Sequence, residues 1–517
     1  MSILLLFPVL LPLVAGACVC FIPAFEKAGL RKAVTISVMV LTLLLLVPVF
    51  FAGEMSLTLF TLSDNLPIFL KTDMIGLIFA ALMAFVWMTA GIYSFPYMHH
   101  EGGEKRYYAL YLCTLGALMG LCFAGSIITF YMFFEAMTLL TMPMVMHSGK
   151  KDAVAAGVKY LIYSVLGASL VLLGVFVLSP YVKDFSFAVG GALNMEKVAG
   201  HESLVLTFSF LMLVGFSAKA GLFPLHGWLP TAHPAAPSPA SAVLSGVITK
   251  AGVLGVIRLM YCYLGVDFLR GTWVQTAYMC MTLLTVFTGS LLAYHEGHLK
   301  KRLAWSSVSQ VSYVLFGLST MNPVGLVGAV LHAIAHSIAK DTLFMSAGAI
   351  IMKTEKTQVT DLKGIGKQMP VTLACFTVAS LGLVGIPPCM GFISKWYLAQ
   401  GSLAATGVNG FLNVLGPVVL LISALLTAGY LFPIVIRGFI VGNGAVHATH
   451  TDSHSAEKTN EVGGHGHGHE EAPVYERNDA PLMMLIPLLV LAVMSVVLGL
   501  FPGCLIDLLT KVGELLM

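Results

Sequence analysis

Charge is what this chain has least of. Of 517 residues only 10% are Asp, Glu, Lys or Arg, against about 25% in soluble proteins, while 58% are hydrophobic. That balance excludes a soluble globular domain and leaves a polytopic membrane protein, with no nucleic-acid partner expected. Paired cysteines are also missing. The nine cysteines stand singly in apolar runs, apart from Cys18 and Cys20, with no CxxC, CxxCH or paired Cys/His spacing. Iron–sulfur, haem c and thiol-redox chemistry are left without ligands, so no cofactor and no resident metal are expected. The first residues, MSILLLFPVLLPLVAG, lack a basic leading segment. They read as a first transmembrane helix and not as a cleaved signal peptide.

What the chain does have is apolar runs long enough to cross a hydrocarbon core of about 30 Å. They lie near 3–22, 33–52, 73–95, 107–124, 126–146, 154–179, 203–229, 238–265, 272–293, 303–320, 322–351, 370–399, 411–441 and 481–507. The expectation is an all-α polytopic fold of about fourteen spans. Basic residues follow the odd-numbered spans: Lys27, Arg31 and Lys32; Lys105 and Arg106; Lys150 and Lys151; Lys300, Lys301 and Arg302; Lys353, Lys356, Lys363 and Lys367. After even-numbered spans stand only Lys71, Lys183, Lys197 and Arg270. Positive charge marks the cytoplasmic side, so both termini are expected to face away from it.

The seventh span holds Lys219 close to a break at Pro224, and the twelfth holds Lys395 close to Pro387–Pro388. A repeat of five spans, an odd number, makes two halves inverted relative to each other, and paired broken helices point to an ion path at the midplane. The expected organisation is 1–106, spans one to three; 107–265, a first five-helix repeat; 272–441, a second, inverted one; 442–480, a polar loop; 481–517, the last span. The stretch HATHTDSHSAEKTNEVGGHGHGHEEAPVYERND (447–479) has no apolar periodicity and reads as a disordered cytoplasmic loop. Its HGHGH has the chemistry of a transition-metal binder, but no metal role is expected of it.

Ionisable groups lie where lipid-like surroundings are expected. Glu135 is central in SIITFYMFFEAMTLLTMPMVM, and Lys250 has some twelve apolar or small residues on either side. A charge at a helix centre costs about 2.5–3.5 kcal/mol on insertion scales, and a helix-interior proline roughly 3. His332, His336 and Lys340 follow at successive i, i+4 steps and stack on one helix face. His332 alone would read as a packed core histidine, Lys159 as a lysine snorkelling to the interface, and Lys395 admits that reading too. A row of such groups titrates as one coupled system, and a carboxylate near a desolvated lysine can switch it between holding and releasing a proton. Ser217, Ser245, Thr249, Ser306, Ser307, Ser309 and Gln310 could hold waters between them.

The run GFSAKAGLFPLHGWLPTAHPAAPSPASAVLSGVITKAGVLGVIR closely resembles the signature of antiporter-like subunits of respiratory complex I, of Mrp-type cation/proton antiporters and of energy-converting membrane-bound hydrogenases. FYMFFEAMTLLTMP, KKRLAWSSVSQVSYVLFGL, HAIAHSIAKDTLFMSAGAI, DLKGIGKQMP and GIPPCMGFISKWY extend the resemblance from about residue 70 to 505. It implies fourteen core helices, two inverted five-helix repeats, broken helices seven and twelve, and proton translocation along a mid-membrane axis. The family's proton-path residues fall on Glu135, Lys219, Lys250, His336, Lys340 and Lys395, which with His332 form the candidate site. Two departures stand out. Thr231 replaces an acid common after GWLP, and the chain ends at Met517, without room for a lateral helix, as in the shorter members.

Three functions compete. One is a proton-translocating subunit of a redox-driven complex, with no redox centre of its own. The second is a subunit of an Mrp-type Na+/H+ antiporter. The third, a membrane scaffold, leaves Glu135 and Lys250 unexplained. The expected setting is a bacterial or archaeal cell membrane, among other membrane subunits in lipid, with protons, alone or with Na+ as well, as cargo.

Overall fold

The computed structural model describes residues 2–63, 66–439 and 477–517. With no water in a bilayer core, each segment must satisfy its own backbone polar groups, and helices do so without an open edge. In chain order the long helices are α1 (Phe7–Phe21), α2 (Ala28–Phe51), α3 (Met74–Glu101), α4 (Glu104–Cys122), α5 (Ile127–Val145), α6 (Lys151–Leu178) and α7 (Glu202–Ala220). Then come α8 (Ser238–Leu264), α9 (Trp273–His295), α10 (Leu299–Ser319), α11 (Pro323–Thr354), α12 (Pro370–Val384), α13 (Met390–Leu403), α14 (Gly410–Phe439), α15 (Leu482–Leu500) and α16 (Gly503–Leu516).

Helices lie at all the expected span positions. Among the described residues, eleven are long and apolar enough to cross a membrane. The others are α4 and α10, which begin on charged runs, and the divided segment formed by α12 and α13. This is a multi-pass membrane protein. Burial sorts the helices: α8 is wholly enclosed by its neighbours and α11 is 89% so, whereas α1, α2 and α14 bury only 33%. The outer helices therefore turn apolar faces to lipid, and the two innermost carry Lys250 and the His332–His336–Lys340 stack.

Three sequence expectations are corrected. The seventh span does not run to 229: α7 stops at Ala220, and a short helix, Leu229–Ala235, follows the break. The last span does not run to 507. It ends at Leu500, and beyond Pro502, whose ring cannot continue a helix, α16 packs its buried Leu509, Val512 and Leu516 against α11. The linker before α3 is an antiparallel hairpin, β1 (Ser56–Thr61) with β2 (Pro67–Lys71), so the fold is all-α apart from it. The expected polar loop, 442–480, lies outside the described residues up to 476. Its described end is tied down: Asp479 accepts from the N–H of Val371 at 2.8 Å and from the Thr372 hydroxyl at 2.5 Å.

The two helix breaks share a local design. α7 ends on Gly221 (φ 86°) and α12 on Gly385 (φ 92°), both left-handed, where a Cβ costs roughly 1–2 kcal/mol. Three residues after each stands a proline, Pro224 and Pro388, behind a cis peptide bond. Away from the axis, Asp73 caps α3 through the N–H of Gly76 at 2.8 Å and pairs at 2.7 Å with the buried Arg258 of α8. That ties α8 to the N-terminal end of α3.

Candidate functional site

Lys219, in the last turn of α7, donates to the hydroxyls of Tyr160 (2.6 Å), Thr138 (2.8 Å) and Ser164 (3.1 Å), and its ammonium lies 4.3 Å from the Tyr160 ring centre. Thr138 follows Glu135 by three residues, so α5 brings both to the same side. Glu135 is near enough for its charge to act on Lys219, yet the two make no ion pair within 4.0 Å. Its Oε1 is buried and, among the described residues, unpartnered.

α8 changes character around Lys250. Residues Leu244–Ile248 form a π-helical turn, a departure often found at functional sites. Thr249 favours it, since its hydroxyl offers the Ser245 carbonyl an alternative partner, while the Ser245 hydroxyl pairs with that of Ser307 at 2.7 Å. The Ser245 carbonyl accepts from Thr249 Oγ1 at 2.7 Å and from Lys250 Nζ at 2.8 Å, and the Gly246 carbonyl accepts from Ser337 Oγ of α11 at 2.6 Å. The wholly buried Lys250 ammonium also meets His336 Nδ1 at 2.5 Å. This contact joins α8 to the expected His/Lys stack of α11.

From Lys340 a row of polar contacts crosses the second half of the molecule. Lys340 Nζ donates to Ser306 Oγ (2.6 Å) and to the Leu303 carbonyl (2.8 Å). Ser306 accepts from Tyr430 OH at 2.8 Å, and both Tyr430 and Gln310 Nε2 reach Thr427 Oγ1 at 3.3 Å. Gln310 Oε1 is 3.1 Å from His332 Nε2, and His332 Nδ1 is 2.9 Å from Ser394 Oγ, beside Lys395. Lys395 itself donates to the carbonyls of Leu383 (2.7 Å) and Val384 (2.8 Å). These are carbonyls that the end of α12 leaves free of helical partners. Thr427 gives its own proton to the Ser423 carbonyl, and the row of polar contacts runs from Lys340 to Ser394 through hydroxyls and the Gln310 amide.

All seven candidates thus lie along one line of helices, although the hydrogen-bonded groups around Lys219 and Lys250 share no member. Ser217 and Ser309 stand aside, bonded to Tyr278 and to Ser290. Lys159 reaches Thr231 Oγ1 at 3.0 Å. Sequence reasoning missed Tyr160, Tyr430, Ser394, His233 and Asp341. Hydroxyls and a single histidine in apolar helices give no signal of their own, but Asp341, beside Lys340 in a long apolar run, was visible. His233 is fully buried with both ring nitrogens unpartnered among the described residues, its ring stacked 4.7 Å from Phe344. Just beyond it opens a surface cavity of about 280 Å³ lined by Glu101, Lys150, Asp152, His298 and Lys300.

Residues 124–423 match the family described as NADH:quinone oxidoreductase/Mrp antiporter, TM. Subunit N of the NADH-quinone oxidoreductase of Desulforudis audaxviator is 34% identical over 430 residues, 81% of this chain and 79% of the relative. Component B of hydrogenase-4 from Escherichia coli is 28% identical over 450 residues, 83% of this chain and 62% of that protein. In fold, a chain of the Mrp complex from Dietzia sp. DQ12-45-1b superposes with a TM-score of 0.82 at 23% identity, over 100% of this chain and 97% of that one. With the match over 124–423 and a 34% identical relative along most of its length, the chain belongs to the NADH:quinone oxidoreductase/Mrp antiporter transmembrane family.

Proposed function

We propose that this chain is a proton-translocating, antiporter-like subunit of a redox-driven membrane complex of the NADH:quinone oxidoreductase or membrane-bound hydrogenase type. One observation carries this reading. Lys219, Lys250, Lys340 and Lys395 are held by neutral hydroxyl, carbonyl or imidazole acceptors, and the ion pairs found among the described residues lie elsewhere. A lysine locked to a carboxylate serves packing; one ringed by neutral acceptors is free to exist with or without its proton. The path runs from Glu135 and Lys219 through Lys250 and His336 to Lys340, His332 and Lys395. The cavity beside Lys300 and His233 offers protons a way in. The two glycine–proline breaks support fourteen spans arranged as inverted repeats over 107–265 and 272–441.

Glu135→Gln is the direct test. Its amide can neither take up a proton nor place a charge beside Lys219. Proton uptake by vesicles carrying the assembled complex should fall by about 100-fold or more, the scale of losing a proton-transfer group. Wild-type uptake by an assembled Glu135→Gln complex would exclude Glu135 from the path. The second reading, a subunit of an Mrp-type Na+/H+ antiporter, draws on the likeness in fold to a chain of an Mrp complex, which chains of redox complexes share. Purification of the native complex separates the two: iron–sulfur, flavin or nickel subunits accompany the first and not the second.

Orientation follows the basic loops, with 296–302 and 353–368 cytoplasmic, 181–202 on the far side, and both termini facing away from the cytoplasm of a bacterial or archaeal cell. Asp184→Cys, in a background without the native cysteines, should react with an impermeant thiol reagent only from the non-cytoplasmic side. Reaction from the cytoplasmic side would invert this topology.

A further inference from the structure

Asp341 has no place in the path as described, and its surroundings are unusual. It is fully buried, and among the described residues neither carboxylate oxygen has a hydrogen-bond partner. An ionised carboxylate with no donor is among the most costly groups to enclose, so in this arrangement the carboxyl carries a proton. It lies on the face of α11 that meets the π-helical turn of α8. Ser337, one turn earlier on α11, donates to the Gly246 carbonyl, and a Cβ added to Gly246 would come within 1.8 Å of Asp341 Oδ1. Only glycine leaves the carboxyl room there. Lys250 follows Gly246, the residue packed against Asp341, by one turn of the same helix, and its ammonium touches His336 without an ion pair to Asp341 within 4.0 Å. Tyr111 of α4 also lies near Asp341, and its hydroxyl donates to the Trp87 carbonyl.

We propose that Asp341 is a proton-carrying residue of this path and the exchange partner of Lys250, an inference that rests on the proton-transport reading above. When the Lys250 amine is neutral and swings toward Gly246, the proton leaves the Asp341 carboxyl for its lone pair, giving a carboxylate and an ammonium. The ammonium then passes a proton to His336 Nδ1, and a proton arriving at the carboxylate restores Asp341. The π-helical turn keeps the Ser245 carbonyl within reach of Lys250, so the ammonium has an acceptor on either side of the exchange.

The test compares Asp341→Asn, Gly246→Ala and Lys250→Met in the assembled complex, by vesicle proton transport and by the infrared C=O stretch of protonated carboxylic acids. Asp341→Asn is isosteric but has no proton to give. Transport should drop by about 100-fold or more, and the wild-type minus variant spectrum should show one protonated carboxyl lost. Gly246→Ala keeps every titratable group and pushes on Oδ1, so it should shift that band and slow transport. Normal transport by Asp341→Asn beside an inactive Lys250→Met would remove Asp341 while leaving the path intact. Normal transport by both would bring down the path itself. Should Asp341→Asn fail to assemble, Gly246→Ala decides: a shifted band with slowed transport supports the exchange, and an unshifted band with normal transport overturns it.

Discussion

Replacing Lys219 with Arg is expected to stop proton transport, lowering its rate by about 100-fold or more, in a complex that still assembles. The ammonium fits between the Tyr160, Thr138 and Ser164 hydroxyls at 2.6 to 3.1 Å. A guanidinium would keep the positive charge and the contact with the Tyr160 ring, so packing and insertion survive. It does not release its proton in any accessible range, and its planar fork does not match three hydroxyls arranged around a point. Lys219→Arg therefore separates the charge of Lys219 from its capacity to exchange a proton. Proton uptake in vesicles, with assembly measured separately, reads the difference. Wild-type transport by this variant would make Lys219 a fixed charge, and the mechanism would have to be abandoned.

Lys250→Met should be as severe, for a different reason. Lys250 is the direct hydrogen-bonded link from α8 to the His/Lys stack of α11, at 2.5 Å from His336. Methionine fills much the same volume but leaves His336 Nδ1 without a partner, on a ring whose Nε2 already lacks one. An unsatisfied buried group of this kind costs about 1–3 kcal/mol, so a modest loss of thermal stability should accompany the loss of transport. Wild-type rates in a stable, assembled variant would show that protons cross between the halves elsewhere.

Much of this was legible in the sequence because buried charge is so costly that it stands out. Lys219, Lys250, Lys340 and Lys395 were found by their position in apolar runs, and the two breaks by Pro224 and Pro387–Pro388. The i, i+4 spacing of His332, His336 and Lys340 placed them on one face, which is where they lie. What could not be read was tertiary. Tyr160 and Tyr430 are ordinary helix residues until another helix sets a lysine or a serine against them. The π-helical turn at 244–248 arises from contacts made across helices, such as that of Ser337 with the Gly246 carbonyl. The end of α15 was misjudged because the apolar run continues past Pro502 into α16, whose apolar side faces α11. Asp341 was overlooked among lysines, though adjacent to one.

The two broken helices repeat each other in glycine, proline and spacing, but not in what they offer the lysine beside them. Lys219 precedes its break and rests on hydroxyls; Lys395 follows its break and rests on the bare carbonyls of Leu383 and Val384. A hydroxyl can take a proton on one side and give one on the other, whereas a carbonyl only accepts. In a proton-carrying chain the first station is thus open in both directions and the second is closed toward its own helix end. A proton reaching Lys395 cannot continue through Leu383 and Val384. In such a chain it would leave past Ser394 or into water, so the backbone at the end of α12 holds Lys395 in place without extending the path.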